Sequence, residues 1–344
     1  VIEDMKVNVG RWQQVVLPVL AVLTSLAIGS VFIIFANASP LPAYRSLFRA
    51  GFGCRGPGGT CAFLTTLQYA TPLILSGLSA TVAFRAGMFS IGQAGQMVVG
   101  AAAATFLAGS LALPAPLQAI VAITGGIIGG AFWGFVPGLL KATLNVSEVI
   151  VTLLMNPMAI LLAGPVSWWR IPESARLLPL VPTTKLNPGF IIAIGAAAFI
   201  YLQLWRSSSG YEQRMSGQST RFAHFGGIHT KRAVVRAMAM SGGLAGLAGA
   251  IEVLGVHYRF ISTFSAIDQF DGVVVALLGQ QHPLGIVFSS ILLGGVRLGA
   301  VNGLQLEAHV PRELGSALIA LMVLFISSPK LYSRFFRRQQ LPAD

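Results

Sequence analysis

Side chains able to do chemistry are sparse in this chain, and they are poorly assorted for catalysis. His224, His229, His257, His282 and His309 are scattered along it, none beside a cysteine or carboxylate at ligand spacing, so no metal site is expected. No Ser, His and acid arrangement stands out, and no catalytic residue is assigned. A GxxxxGK[ST] phosphate loop is also missing, so nucleotide hydrolysis is not expected of these residues. What remains are carboxamides and a few charges set in apolar sequence, where a polar group is costly and therefore informative. In FSIGQAGQ, Gly92 and Gly95 weaken a helix, while Gln93 and Gln96 offer amide donors and acceptors suited to hydroxyls or base edges. Phe89, Gln93 and Gln96 are thus candidates to line a solute path, and plain interhelical bonding is the alternative.

Four further polar residues join this set. Asn156 stands just before Pro157, which removes one backbone bond and bends a helix. Glu252, Asp271 and Arg297 fall towards one end of their apolar segments, where they could share a water-filled vestibule. An ion pair of Arg297 with either acid is the plain explanation, and an external gate the bolder one. Glu148 opens another apolar segment and suits a helix N-terminus electrostatically.

The elements that must position these groups are membrane helices. Of 344 residues, 54% are hydrophobic and 10% charged, where a soluble domain carries about 25% charged residues. Apolar segments fall at about 15–36, 63–84, 88–111, 117–140, 148–165, 189–205, 232–256, 271–280, 284–300 and 314–328. Backbone polar groups in lipid must be bonded internally, so all ten read as helices, the short ones tilted, broken or shielded. The expected fold is all-α: one polytopic bundle of about ten spans, a single membrane domain over residues 1–344. Glu3, Asp4, Lys6 and Arg11 precede the first run without a small-residue cleavage site, and 15–36 reads as a retained helix.

The formal net charge of +12 does not point to nucleic acid, because the basic residues sit in short segments between apolar runs. Placing the loop 206–231, with Arg206, Arg214, Arg221 and Lys231, in the cytoplasm puts both termini there too, with Lys330, Arg334, Arg337 and Arg338. The turns at Arg85 and Lys141 then face the same way. The loop CRGPGGTC lies outside, where Cys54 and Cys61 could form a disulfide; two unpaired thiols are the alternative. Glycines recur every fourth position at Gly126, Gly130, Gly134 and Gly138, and again at Gly242 and Gly246, with Gly249 following. Such stripes let helix backbones pack closely, and helix sliding is the second use they could serve.

The segment 206–249 is the most informative. A polar, basic loop contains a short amphipathic stretch, Thr220 to Phe225, ended by Gly226 and Gly227, and leads into a small-residue helix. Six residues are too few to fold alone. They make sense as a plug for a groove on another protein, with Phe222 and Phe225 as anchors on one helical face; an ordinary solvated loop is the alternative.

At this point the chain resembles the inner-membrane permeases of ABC importers for simple sugars and nucleosides, relatives of the branched-chain amino acid and ribose permeases. That family's loop has the form G-Y-E-x-R-x-x-G followed by a coupling helix ending in G-I. Gly210, Tyr211, Glu212, Arg214 and Gly217 match the first part, and Gly227 with Ile228 the second. Between them stand Thr220, Arg221, Phe222, Ala223, His224, Phe225 and Gly226 in place of the usual Ala-Ala-Arg-Tyr-Ala-Gly-like segment. FSIGQAGQMVVGA at 89–101 is similar to the family's F-N-I-G-x-E-G-Q block, with Ser90 for the usual Asn and Gln93-Ala94 departing from its acidic pattern. In SEVIVTLLMN at 147–156, Glu148, Thr152 and Asn156 match N-E-V-I-x-T-x-x-x-N. The blocks at 244–260 and 270–295 resemble the nucleoside branch.

The resemblance implies a multi-pass protein of the bacterial cytoplasmic (inner) membrane that is not itself an enzyme. It implies a partner ATP-binding subunit carrying the ATP and Mg, with no cofactor held by this chain. A second, homologous permease, giving a heterodimer, and an extracellular solute-binding protein are also implied. The substrate would be a nucleoside or a simple sugar. Arg214, Arg221, Phe222, His224, Phe225, Gly226, Gly227 and Ile228 are the residues expected to couple to the ATPase. An ion-coupled secondary transporter is the alternative, but it needs a titratable cluster near mid-membrane, and the acids here fall near helix ends. A membrane-embedded enzyme would show paired His or carboxylate motifs, which are not seen.

Overall fold

The computed structural model describes residues 11–35, 38–54, 61–166, 169–182, 184–261 and 270–305, with single positions between 314 and 324. Among them every regular element is helical. The helices are α1 (Arg11–Phe35), α2 (Pro40–Phe52), α3 (Ala62–Arg85), α4 (Gln93–Ser110), α5 (Leu117–Leu144) and α6 (Glu148–Leu162). After them come α7 (Gly189–Arg206), α8 (Ser208–Gln218), α9 (Thr220–Phe225), α10 (Thr230–Glu252), α11 (Asp271–Leu278) and α12 (Pro283–Gly299). Among the described residues, six helical stretches are long and apolar enough to cross a membrane, or up to seven if α1 and α2 form one bent span.

Fewer spans are described than the ten segments expected, and two of the differences have a physical reason. Segment 271–280 becomes α11, whose eight residues reach about 12 Å of a hydrocarbon core about 30 Å thick. Segment 88–111 gives up its first turn, since Met88–Gly92 is irregular, and α4 keeps 18 residues rich in Gly and Ala. Most of segment 314–328 lies outside the described residues, as do His309, Lys330 and the basic residues near both ends of the chain. Helix α2 was not expected, because its amphipathic sequence carries Arg45 and Arg49 and reads as a loop.

The described chain divides into two compact units. In the first, which runs to Cys54 and resumes at Gly295, Ile33, Ala43, Leu47, Ala300 and Leu304 form a buried cluster. Cys54 and Cys61 are both disulfide-bonded; the glycine-rich residues between them lie outside the described set.

The second unit, residues 55–294, is built on α4, α5 and α10. Glycines let these three backbones touch. A β-carbon on Gly130 would lie 2.3 Å from the Gly242 carbonyl oxygen, and one on Gly249 would lie 2.0 Å from that of Met97. Close approach of this kind gains dispersion contacts along the whole crossing, which is what holds helices together where lipid offers no hydrophobic driving force. Helix α3 joins through Ser79, whose hydroxyl is 2.9 Å from that of Ser241 on α10. Helices α5, α6 and α7 keep many large apolar side chains exposed, including Ile128, Phe132, Leu154, Leu161, Ile191 and Phe199, as lipid-facing surfaces do.

Candidate functional site

The carboxamides gather where α4 begins. Helix α3 ends at Arg85, and Gly87, at φ +78°, takes the left-handed turn that a residue with a β-carbon adopts at a cost. The chain then runs irregularly through Met88–Gly92. Those backbone groups would be orphaned in a membrane bundle, and α6 supplies their partners. Ile91 N–H donates to Thr152 Oγ1 at 3.3 Å, Asn156 Nδ2 donates to the Ile91 carbonyl at 3.0 Å, and Gly95 N–H donates to Asn156 Oδ1 at 3.0 Å. Thr152 and Asn156 stand one helical turn apart, so a single face of α6 braces the broken entry to α4. Gly95 is required for this, since a β-carbon there would meet Asn156 Oδ1 at 2.8 Å and Trp133 Nε1 at 3.2 Å.

Gln93 and Gln96 are buried, and each leaves its Oε1 without a hydrogen bond; so does Trp133 Nε1, reaching in from α5. Gln93 Nε2 donates to the Ser90 carbonyl at 3.1 Å. Two unspent acceptors and one unspent donor are therefore buried around one helix start, a set that fits a polar, uncharged ligand group. Phe89 is half-exposed at its edge and stacks on Phe84 at 5.1 Å.

Asn156 thus acts first on the protein's own backbone. Asn156→Ala leaves the Gly95 N–H and the Ile91 carbonyl unpaired, so the expected loss is about 2–5 kcal/mol of stability. A thermal-unfolding comparison of the solubilised protein checks this, and an unchanged midpoint would remove the bracing role.

The charged candidates lie elsewhere. Glu252 faces His257, 3.3 Å away, across a π-helical turn, Val253–His257, that ends α10. The backbone between α6 and α7 closes over this turn, with Ile171 N–H donating to the Tyr258 carbonyl at 3.0 Å and Leu177 N–H to that of Leu254 at 2.9 Å. Asp271 opens α11, and Arg297 stands in the last turn of α12, within the first unit. Glu148 pairs with Lys141 at 3.0 Å across the α5–α6 turn, which Asn145 makes in the left-handed region.

Within residues 206–231 lie α8 and α9. Ser207 Oγ caps α8 by accepting from Gly210 N–H at 3.0 Å, and Ser219 Oγ caps α9 by accepting from Phe222 N–H at 3.3 Å. Helix α8 is clamped to α3: Gln213 Nε2 donates to the Val82 carbonyl at 2.7 Å, and Gly217 packs against Arg85 and Gly87. Glu212 pairs with Arg236 of α10. Helix α9 buries Ala223 and turns Arg221, Phe222, His224 and Phe225 outward, with Phe222 62% and Phe225 89% exposed. Gly226, Gly227 and Ile228 close it, Ile228 N–H donating to the Ala223 carbonyl at 2.9 Å. Arg214 differs from its neighbours in turning inward, over Trp205 of α7.

Comparison of the sequence with known proteins places the chain in a known group. The family model described as the branched-chain amino acid transport system permease component matches residues 62–327. The chain belongs to this permease family. It is 33% identical to the guanosine ABC transporter permease protein NupP of Bacillus subtilis (strain 168), over 93% of this chain and 95% of the relative. A nucleoside ABC transporter permease protein of Lactococcus lactis, NupB, is 29% identical over 92% of each chain. The glucose ABC transporter permease protein TsgB13 of Haloferax volcanii is 28% identical over 96% of this chain and 92% of the relative. No solved structure matches.

Trp133 beside the carboxamides and Trp205 near α8 were not singled out by their sequence positions; Thr152, Arg85 and His282 were named there, but as a motif match, a turn and a scattered histidine. Their roles here depend on which helices meet.

Proposed function

We propose that this chain is the permease subunit of an ATP-driven importer that moves nucleosides, ahead of simple sugars, across the cytoplasmic membrane. The relatives named for guanosine and nucleoside transport support the solute class, and the relative named for glucose supports the wider sugar range. The observation that carries the reading is the α4 entry, where Gln93, Gln96 and Trp133 hold unspent hydrogen-bonding atoms. Carboxamides and an indole N–H recognise hydroxyls and base edges without demanding charge, which suits a neutral solute. Phe89 and Asn156 border that path, while Glu252, Asp271 and Arg297 belong to the outer approach.

The chain forms one permease domain of about ten spans with both termini cytoplasmic, counting short and broken helices. It binds no cofactor. A separate ATP-binding subunit carries ATP and Mg and docks on the α9 residues Arg221 to Ile228, while Arg214, turned inward over Trp205, couples to it from within α8; a second permease, giving a heterodimer, and an extracellular binding protein complete the assembly. ATP binding closes the ATPase pair, moves α9, and rocks the bundle between outward-open and inward-open arrangements.

The test is uptake of labelled guanosine, ribose and glucose into vesicles containing the whole transporter. Import should require ATP and survive an uncoupler. Gln96→Leu removes an oxygen with no partner in the protein, so folding should be kept while KM rises about tenfold, the cost of one lost solute hydrogen bond. Uptake that stops with an uncoupler while ATP stays high would overturn the ATP-driven reading, and an unchanged KM would overturn the pathway.

A further inference from the structure

Two arginines meet at the end of the bundle that carries α8 and α9, and neither has a carboxylate partner among the described residues. Arg85, at the last turn of α3, lies 5.3 Å from the centre of the Trp205 ring, and Arg214 of α8 lies 6.0 Å from it. Each guanidinium leaves a buried Nε–H without an acceptor. Arg85 spends one Nη2 bond, at 3.1 Å, on the Gln281 carbonyl, in the turn between α11 and α12 where Gln280 and Gln281 both hold the left-handed conformation. His282 adds a ring 5.3 Å from Trp205. Burial, then the charge of Arg85, pushes His282 below its ordinary range, which biases it to the neutral form. The cluster is thus a net double positive charge on an aromatic platform, poorly neutralised and partly dry.

Such a cluster costs energy unless something anionic visits it. Its surroundings point to what that is. Trp205 and Tyr201 stack on each other at 5.7 Å near the C-terminal end of α7, the depth at which aromatic residues sit against headgroups. Going back along α7, Leu202, Phe199, Ile194 and Ile191 are exposed, forming an apolar track long enough for an acyl chain. A basic pocket between membrane helices with an adjoining greasy track has the form of a lipid headgroup site.

We infer that Arg85, Arg214 and Trp205 form a binding site for the phosphate of an anionic phospholipid in the leaflet on the α8–α9 side, its acyl chain lying along α7. The phosphate oxygens accept from the two guanidinium groups, and the diester charge relieves their mutual repulsion. The site rests on the membrane-spanning character of the chain and is independent of the solute it moves.

Arg214→Gln is the sharpest variant, since Arg214 makes no hydrogen bond within the protein among those described, and its loss leaves the α3–α8 clamp at Gln213 intact. The whole transporter, purified in mild detergent, is loaded with phosphatidylglycerol or phosphatidylcholine and examined by native mass spectrometry and thermal unfolding. Wild type should retain phosphatidylglycerol and gain thermal stability from it, with little effect of phosphatidylcholine. Arg214→Gln should weaken phosphatidylglycerol retention about five- to tenfold, Arg214→Lys should restore most of it, and Arg236→Gln, at an exposed paired arginine, should leave it unchanged. Equal retention by wild type and Arg214→Gln, or equal retention of both lipids, would overturn the site. Stabilisation by inorganic phosphate alone, without phosphatidylglycerol selectivity, would make it a free-anion site and overturn the lipid assignment.

Discussion

Phe222→Asp with Phe225→Asp is expected to abolish ATP-dependent import and to release the ATP-binding subunit, with the permease itself still folded. Both rings face outward on α9 and contribute little to the chain's own core, so the substitution costs the isolated subunit almost nothing. On a partner surface the reckoning changes. Aromatic anchors seated in a groove are worth about 2–4 kcal/mol each when truncated, and an unpaired carboxylate in the same groove adds a desolvation penalty. Two such changes correspond to a loss of association of at least about a thousandfold. Co-purification with the ATP-binding subunit and ATP-stimulated uptake measure it, with Phe222→Leu and Phe225→Leu as controls that keep the apolar anchor. Wild-type association and uptake in the double aspartate variant would show that α9 is not the handle on which the motor pulls.

Gly246→Leu is expected to prevent the second unit from assembling at all. A β-carbon at Gly246 would lie 2.3 Å from the Gly126 carbonyl oxygen and 2.8 Å from the Gly130 α-carbon. Both obstacles are backbone, which cannot swing aside as a flexible side chain would, so α5 and α10 must separate along their whole crossing. Overpacking in a core that relaxes costs about 1–3 kcal/mol. Here the loss extends to every contact of the α4, α5 and α10 group and approaches the total stability of a domain, about 5–15 kcal/mol. Size-exclusion chromatography of the solubilised protein should show aggregate in place of a single species. Gly195→Leu on α7, where nothing lies within 4 Å of an added β-carbon, should behave as wild type. A monodisperse Gly246→Leu protein would mean that the glycine stripes are spacing without consequence.

Helix positions were legible in the sequence wherever an apolar run approached the thickness of a membrane, because lipid forces such a run to satisfy its own backbone. That covers α1, α3, α5, α6, α7, α10 and α12. The signal failed in two ways. Helix α2 carries charges on an amphipathic face, which is the mark of a loop between spans as much as of a helix lying beside one. Segment 271–280 is apolar throughout, yet apolarity does not record length, and α11 stops at Gly279. Among the buried amides, Gln93 and Gln96 stood out because carboxamides in apolar sequence are expensive. Trp133 did not, since an aromatic residue on a glycine-rich helix reads as packing. Asn156 drew notice for its proline neighbour, whereas its hydrogen bonds to Ile91 and Gly95 bridge residues more than sixty positions away, and no local pattern encodes that.

The clamp between α8 and α3 has a mechanical corollary. A strut fastened at Gln213 and Gly217 delivers any shove from below to the last turn of α3 before the outer helices feel it. From there the serine contact to α10 and the packing of Gly77 against Val275 of α11 carry it inward. Helices α6 and α7 share that load, α6 through its bonds to the α4 entry and α7 through its packing on α3 and α8.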